Sequence, residues 1–401
     1  MFLLISNPTI RRLFMAQALY WSCAVICVLL ATLIGLKLAP LKELASLPLA
    51  LFVLGNLLAL QPISRVMARY GRRTGFLLGA AAGALGGLTS AASLWLESFF
   101  LFCLSAMPIG AYQASAMYYR FAALETVEFD LRGRAAAAVV GAGVVAAVIA
   151  PSLGSATRDL LTVPFAGAYL LVAAMALTGA LTLSGLPAHK TPQAHSSKPS
   201  PTRWRELVKR PVIKAAILTT ATGHGLMTLV MNATPLAMHG EGMTLEASGT
   251  VIQWHMLGMF LPAFLAGPLV DRYGARAVAC LGAVLLMTSA LNAYHGVTHM
   301  HFLSSSFLLG VGWCLMLVAG TTQLAFGYEA DERANAQGLM ELTNGAVAAV
   351  MSFTSGAVIA QAGWTAVNSL AVPFLLLVVV VQLVQLGSEN KADCSANDDG
   401  R

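Results

Sequence analysis

His224 and His255 each lie inside a long apolar stretch, at Gly223-His-Gly225 and Gln253-Trp-His255. An imidazole there titrates near physiological pH, so proton binding is the chemistry it offers; the plainer alternative is a hydrogen-bonded packing histidine. Glu341 and Arg120 are ionisable groups at the ends of two further apolar stretches. Opposite charges in such a setting can pair, and a glutamate can also carry a proton. Otherwise Arg120 snorkels to a membrane surface and Glu341 bonds loop backbone. A third group combines ring faces with amides and little charge: Gln17, Tyr20, Trp21, Tyr112, Gln113, Asn232, Gln253, Trp254, Trp313 and Gln323. These suit a neutral or weakly anionic organic solute. Tyrosine and tryptophan also anchor helices at a lipid interface, as expected of Trp95 and Trp364, and glutamine also bridges helices.

No enzyme constellation stands beside them. The chain lacks GxxxxGK[ST], and Gly141-Ala-Gly143 and Gly223-His-Gly225 fall inside apolar runs, where glycine allows close helix packing. The six cysteines show no CxxC or Cys/His spacing, so no metal and no cofactor are expected.

The elements that position these groups are set by composition. Hydrophobic residues make up 57% of the chain and charged ones 10%, with a mean hydropathy of +0.73; a water-soluble domain carries about 25% charge. The apolar blocks are about 20 residues long, the length of a helix that crosses hydrocarbon. Stretches such as Ala135 to Ala150 are apolar on every face, which excludes the alternation of a β-barrel. Twelve spans are predicted, near 12–36, 44–66, 74–95, 99–121, 134–156, 164–186, 213–236, 247–270, 277–294, 302–326, 336–360 and 365–386. The fold class is therefore an all-α membrane protein of two six-helix bundles, at 1–186 and 213–386. A Pro/Ser-rich linker occupies 187–212 and a polar tail 387–401. The N-terminus lacks the residue order of a cleaved leader.

The net charge of +6 is a topology signal: of 24 Lys and Arg, 21 lie on the side of both termini and only Lys37, Lys42 and Arg158 opposite. The positive-inside rule puts the termini and linker in the cytoplasm of a multi-pass protein, with the bilayer as partner and no nucleic acid.

The halves repeat. Arg69-Tyr-Gly-Arg-Arg73 and Arg272-Tyr-Gly-Ala-Arg276 follow the second span of each half at an offset of 203 residues. A second echo mixes acids and arginines at Glu125 to Arg134 and Glu329 to Arg333. Gly267, Asp271, Arg272, Gly274 and Arg276 resemble the signature loop of the major facilitator superfamily, G-x-x-x-D-R-x-G-x-R. The first-half loop departs from it, with Ser64 and Ala68 at the glycine and aspartate positions. Ala150-Pro-Ser-Leu-Gly154 is a weak match to that superfamily's antiporter signature. Met231 to Met238, Val251 to Met259 and Gly310 to Trp313 are similar to a bacterial group within it.

The resemblance implies a monomeric bacterial inner-membrane carrier of a small molecule, working by alternating access between the bundles, coupled to protons through His224, His255 or Glu341. It places helices 1, 4, 7 and 10 around the substrate, pairs Arg120 with Glu341 as a gate, and gives Asp271, Arg272, Arg276, Arg69 and Arg73 to the gating loops. Riboflavin-type uptake and drug or metabolite efflux are the substrate alternatives. A non-transporting sensor or scaffold ranks below them, because the tail is short.

Overall fold

The computed structural model describes residues 7–41, 44–45, 47–187 and 204–398. Most of the expected linker, including Ser197, lies outside them. Among the described residues the chain is helical and contains no strand. The helices are α1 Pro8–Leu38, α2 Leu47–Tyr70, α3 Arg72–Trp95, α4 Phe99–Ala116, α5 Tyr119–Leu124, α6 Arg132–Gly141, α7 Gly143–Arg158 and α8 Ala166–Ser184. After the linker come α9 Trp204–Leu207, α10 Pro211–Gly240, α11 Leu245–Phe260, α12 Ala263–His295, α13 His299–Leu324, α14 Arg333–Ser369 and α15 Ala371–Asp398.

Local chemistry sets many of these ends. Pro8 opens α1 behind Asn7, whose side-chain oxygen accepts from the Thr9 and Ile10 amides at 2.9 and 3.4 Å. Ser98, Thr244 and Thr298 cap α4, α11 and α13 in the same way. Nine helical runs among the described residues are long and apolar enough to cross a membrane. Two of them, Ala247–His295 and Arg333–Gln385, are 49 and 53 residues long, enough for two crossings each, and they break at Gly274 and Gly363. With the 30-residue α10 the crossings number twelve.

The chain divides into two compact units: one holds residues up to Val127 and from Ala138 to the linker, the other holds Glu128–Ala137 and everything after the linker. In the first, α2 and α3 pack on α4, and α8 on α1 and α3. Glycines let backbones meet: a Cβ at Gly55 would strike the Met107 backbone, and one at Gly110 the Phe52 backbone. The second unit repeats the device, with Gly258 against Phe307 and Gly310 against His255. Gly258 follows Gly55 by the same 203 residues that separate the two loops. The loops also share their backbone: Gly71 has φ 89°, ψ 161° and Gly274 has φ 82°, ψ 154°.

Trp364 departs from the anchoring expectation. It is buried in the second unit, its indole donating to the Ala293 carbonyl at 3.1 Å with Phe302 beside it. Trp95, 48% exposed, keeps the position expected of an anchor.

Candidate functional site

In the first unit, α1 carries Gln17, Tyr20 and Trp21, and α4 with α5 carries Tyr112, Gln113, Tyr119 and Arg120. Tyr20 and Tyr112 meet edge to face at 5.3 Å, and Trp21 tilts against Tyr20 at 5.3 Å. The space for Tyr112 is made by glycines on the other helices: a Cβ at Gly83 would overlap its ring and one at Gly179 would lie 3.0 Å from its hydroxyl. Tyr112 therefore points into the bundle interior, and Tyr20 and Tyr119 are equally buried. Gln113 and Trp21 are partly exposed, and Gln17 is buried. Arg120 is buried as well, its guanidinium 4.8 Å from the Phe121 ring.

In the second unit, His224 of α10 and Trp313 of α13 are joined by a hydrogen bond of 3.1 Å from the indole Nε1–H to His224 Nδ1. Phe260 also meets Trp313, edge to face at 6.3 Å. An acceptor nitrogen carries no proton, so His224 is held with Nδ1 bare. His255 of α11 is held in the opposite sense. Its Nδ1 lies 2.8 Å from the Ser306 carbonyl, which can only accept, so Nδ1 bears the proton and the buried Nε2 is bare.

The amides divide into bridging and open groups. Asn232 donates to Ser352 of α14 at 2.8 Å. Gln323 is buried in a reciprocal amide pair with Gln382 of α15, at 3.2 and 3.0 Å, and Gln382 also donates to Thr219 of α10 at 2.7 Å. These two bridge helices. Gln253 and Trp254 are exposed, Trp254 with Phe307 at 6.0 Å. Glu341 is buried in α14, one turn from Asn344, which accepts from Thr220 at 2.9 Å.

The signature loop between the eighth and ninth spans has a partner that its own sequence does not name. Asp271 sits 2.8 Å from Arg134 Nε at the start of α6, and its carboxylate also receives the Gly133 and Arg134 backbone N–H groups. It thus serves the free amides at a helix N-terminus. A Cβ at Gly267 would lie 2.6 Å from the Arg134 Cα, and a Cβ at Gly133 would lie 2.6 Å from Asp271 Oδ1. The signature residues thus have separate jobs: Gly267 permits the approach, Asp271 makes the bond, and Gly274 turns the chain. Burial pushes the Asp271 carboxyl up from its ordinary range; the Arg134 charge and the two amides oppose this but do not overcome it. Arg134 is 43% exposed against 11% for Asp271, so its field is partly screened. Arg276 donates to the Gln385 carbonyl at 3.2 Å. Arg272 lies over Tyr273, as the exposed Arg69 lies over Tyr70, and Arg73 is partly exposed.

The first-unit loop has no acid to do this, because Ala68 stands at the aspartate position; instead Arg72 pairs with Glu125 at 2.6 Å. Arg134, Gln382 and Ser352 were not singled out from the sequence. Only Arg134 left a signal, in the acid–arginine echo. Among the described residues no group of three or more His, Cys, Asp or Glu is placed to hold a metal ion.

Paired helical units with ring-and-amide groups on their first and fourth spans define a polytopic membrane carrier. The family model of the Major Facilitator Superfamily matches residues 13–253 and 222–393, and the chain belongs to that superfamily as a transporter. A relative described as riboflavin transporter RfnT of Brucella anthropi is 34% identical over 383 residues, covering 94% of this chain and 95% of its own length. The uncharacterized transporter YdeG of Bacillus subtilis is 29% identical over 88% of this chain and 86% of its own. Among solved structures, the Escherichia coli fucose:proton symporter FucP superposes with a TM-score of 0.76 at 14% identity, covering 94% and 97% of the two chains. The human organic anion transporter MFSD10 gives 0.74 at 15%, covering 94% and 99%.

Proposed function

We propose that this chain imports riboflavin, or a planar heterocycle of like chemistry, across the bacterial inner membrane by proton-coupled alternating access. The observation that carries the substrate is the 34% identity to a riboflavin transporter, held across 94% of the chain. The lining chemistry supports it: rings at Trp21 and Trp254 offer stacking faces, with Trp313 buried behind the lining against His224 and Phe260, and Gln113 and Gln253 offer amide donors and acceptors for a heterocycle edge. Asn232 and Gln323 serve the bridges that hold those rings in place.

Coupling is assigned to His224, with His255 and Glu341 as the other titratable candidates. The Trp313 bond needs His224 Nδ1 unprotonated, so proton uptake there and the interhelical bond exclude each other. Such an element has two arrangements that a proton selects between. Arg120 and Glu341, both buried, are the proposed gate pair, and Asp271 holds the N-terminus of α6. The basic asymmetry supports both termini in the cytoplasm.

The test is uptake of labelled riboflavin by a riboflavin-requiring bacterial strain without its own transporter. Expression of this chain should restore growth at low riboflavin and give uptake that unlabelled riboflavin competes away. No uptake, with raised resistance to a toxic solute instead, would replace import by efflux.

A further inference from the structure

We propose that the second unit holds one acyl chain of an anionic phospholipid in a groove beside α10, with the headgroup phosphate on Lys214. A cavity of about 420 Å³ lies there. Its back wall is the α10 face running from Lys214 through Ile217, Leu218 and Ala221 to Gly225. One side is the α14 face of Leu339, Thr343, Val347 and Met351, and α15 contributes Phe374 alone. Apart from Thr222 and Thr343 the lining is apolar, with a single charged residue, and that residue stands at one end.

Three observations choose the occupant. The first is length. Lys214 to Gly225 spans eleven residues, about 16 Å along a helix axis at ~1.5 Å per residue, and half of a bilayer's hydrocarbon core is about 15 Å thick. The groove is therefore as deep as one leaflet.

The second is charge. Lys214 is exposed at the start of α10, and Lys209 and Arg205 are exposed just before it. Glu206 is the acid among them, and Arg210 is already committed to Glu332 at 2.7 Å. The mouth is thus net basic, which selects an anionic headgroup.

The third is depth marking. Trp204, 38% exposed in the short helix α9, puts an amphipathic ring at the same end, where an interfacial residue belongs. A water-filled groove would need polar walls, and a soluble apolar ligand would not need a lysine at a membrane surface.

The site lies away from the His224–Trp313 bond, although both use α10. His224 is not among the groove residues, whereas its neighbour Gly225 is. A chain seated along α10 and α14 would fill the space into which these helices could otherwise move.

The experiment uses the full-length protein purified in mild detergent, with native mass spectrometry and thermal unfolding in the presence of phosphatidylglycerol or phosphatidylcholine. The parent should retain one phosphatidylglycerol in preference to phosphatidylcholine and melt higher with it. Lys214→Gln should cut that preference about fivefold, the loss expected for one surface lysine, and Lys214→Arg should restore it. Ile217→Trp, which narrows the groove, should displace both lipids. Equal retention of the two lipids that neither Lys214→Gln nor Ile217→Trp alters would mean annular contact only and overturn the site. Retention lost in Ile217→Trp but equal for both lipids in the parent would overturn the headgroup assignment.

Discussion

The Trp313 indole donates to His224 Nδ1 at 3.1 Å, tying α13 to α10 through the one ring nitrogen that a proton would occupy. Protonation at Nδ1 turns that acceptor into a donor and breaks the tie. His224→Gln, which cannot titrate, should therefore abolish riboflavin accumulation driven by an imposed pH gradient in proteoliposomes while leaving substrate exchange within about threefold of the parent. His255→Gln and Glu341→Gln are the parallel arms. If the parent reaches the same rate and level with and without the gradient, all three assignments fall.

Asp271 has a pH signature of fixed sign. Its carboxyl is raised by burial, so its contribution to folding is present in acid, below the ordinary carboxylate range, and is lost as pH rises through the folded value. The ionised Asp271–Arg134 pair is then no net source of stability at neutral pH. Asp271→Asn should melt within about 2 °C of the parent at pH 7, while the parent gains on the variant as pH falls toward about 4. An advantage for the parent that grows with rising pH would show the opposite balance.

Gly267 tests the close approach itself. Its Cβ would lie 2.6 Å from a backbone atom that cannot rotate away, so Gly267→Leu should lower the melting temperature by several degrees, roughly 1–3 kcal/mol of overpacking. Gly240→Ala, with nothing within 4 Å, is the control and should change little.

The Gln323–Gln382–Thr219 cluster ties α13, α15 and α10 together inside the bundle. Gln382→Ala leaves the buried Gln323 carbonyl oxygen without its donor, although the Gln323 amide NH2 keeps Gln385, and should cost about 1–2 kcal/mol, read as a lower unfolding temperature in detergent. Replacing Gln323 and Gln382 together by leucine should cost less than the single change. Equal and additive losses would mean the amides do not act as a pair.

Arg120 and Glu341 are each buried, and a buried charge without an opposite is worse than a matched pair. Arg120→Ala and Glu341→Ala should each reduce uptake about tenfold or more, and the exchange Arg120→Glu with Glu341→Arg should recover part of it. Losses that simply add in the double-alanine variant would remove the gate.

The sequence carried the crossings because lipid imposes a length on every helix, and it carried the repeat because Arg-Tyr-Gly-x-Arg recurs at a turn. It identified Asp271 as the acid of the loop but not Arg134 as its partner, since ion pairs between distant segments leave no local pattern. Tyr112 shows the other limit. A helix apolar on most faces has no moment to fix its rotation, so its ring could be assigned to a helix but not to a side. Gln323 could be named but not given its bridging role, because Gln382 lies 59 residues further along the chain and the Thr219 that Gln382 also reaches lies 163 residues before Gln382.

Gly71 and Gly274 hold φ and ψ within 7° of each other, in a region of backbone space that is essentially closed to residues with a side chain. Such a position is written in a one-letter alphabet. Lipid-facing residues can exchange one apolar side chain for another without leaving a trace, but these two turns cannot, and the 203-residue offset between them works as a ruler fixed at both ends. An insertion or deletion between them would change that distance by its own length while leaving both marks standing. The duplication that the chain records is therefore measurable from two glycines, even where every other correspondence between the halves has worn away.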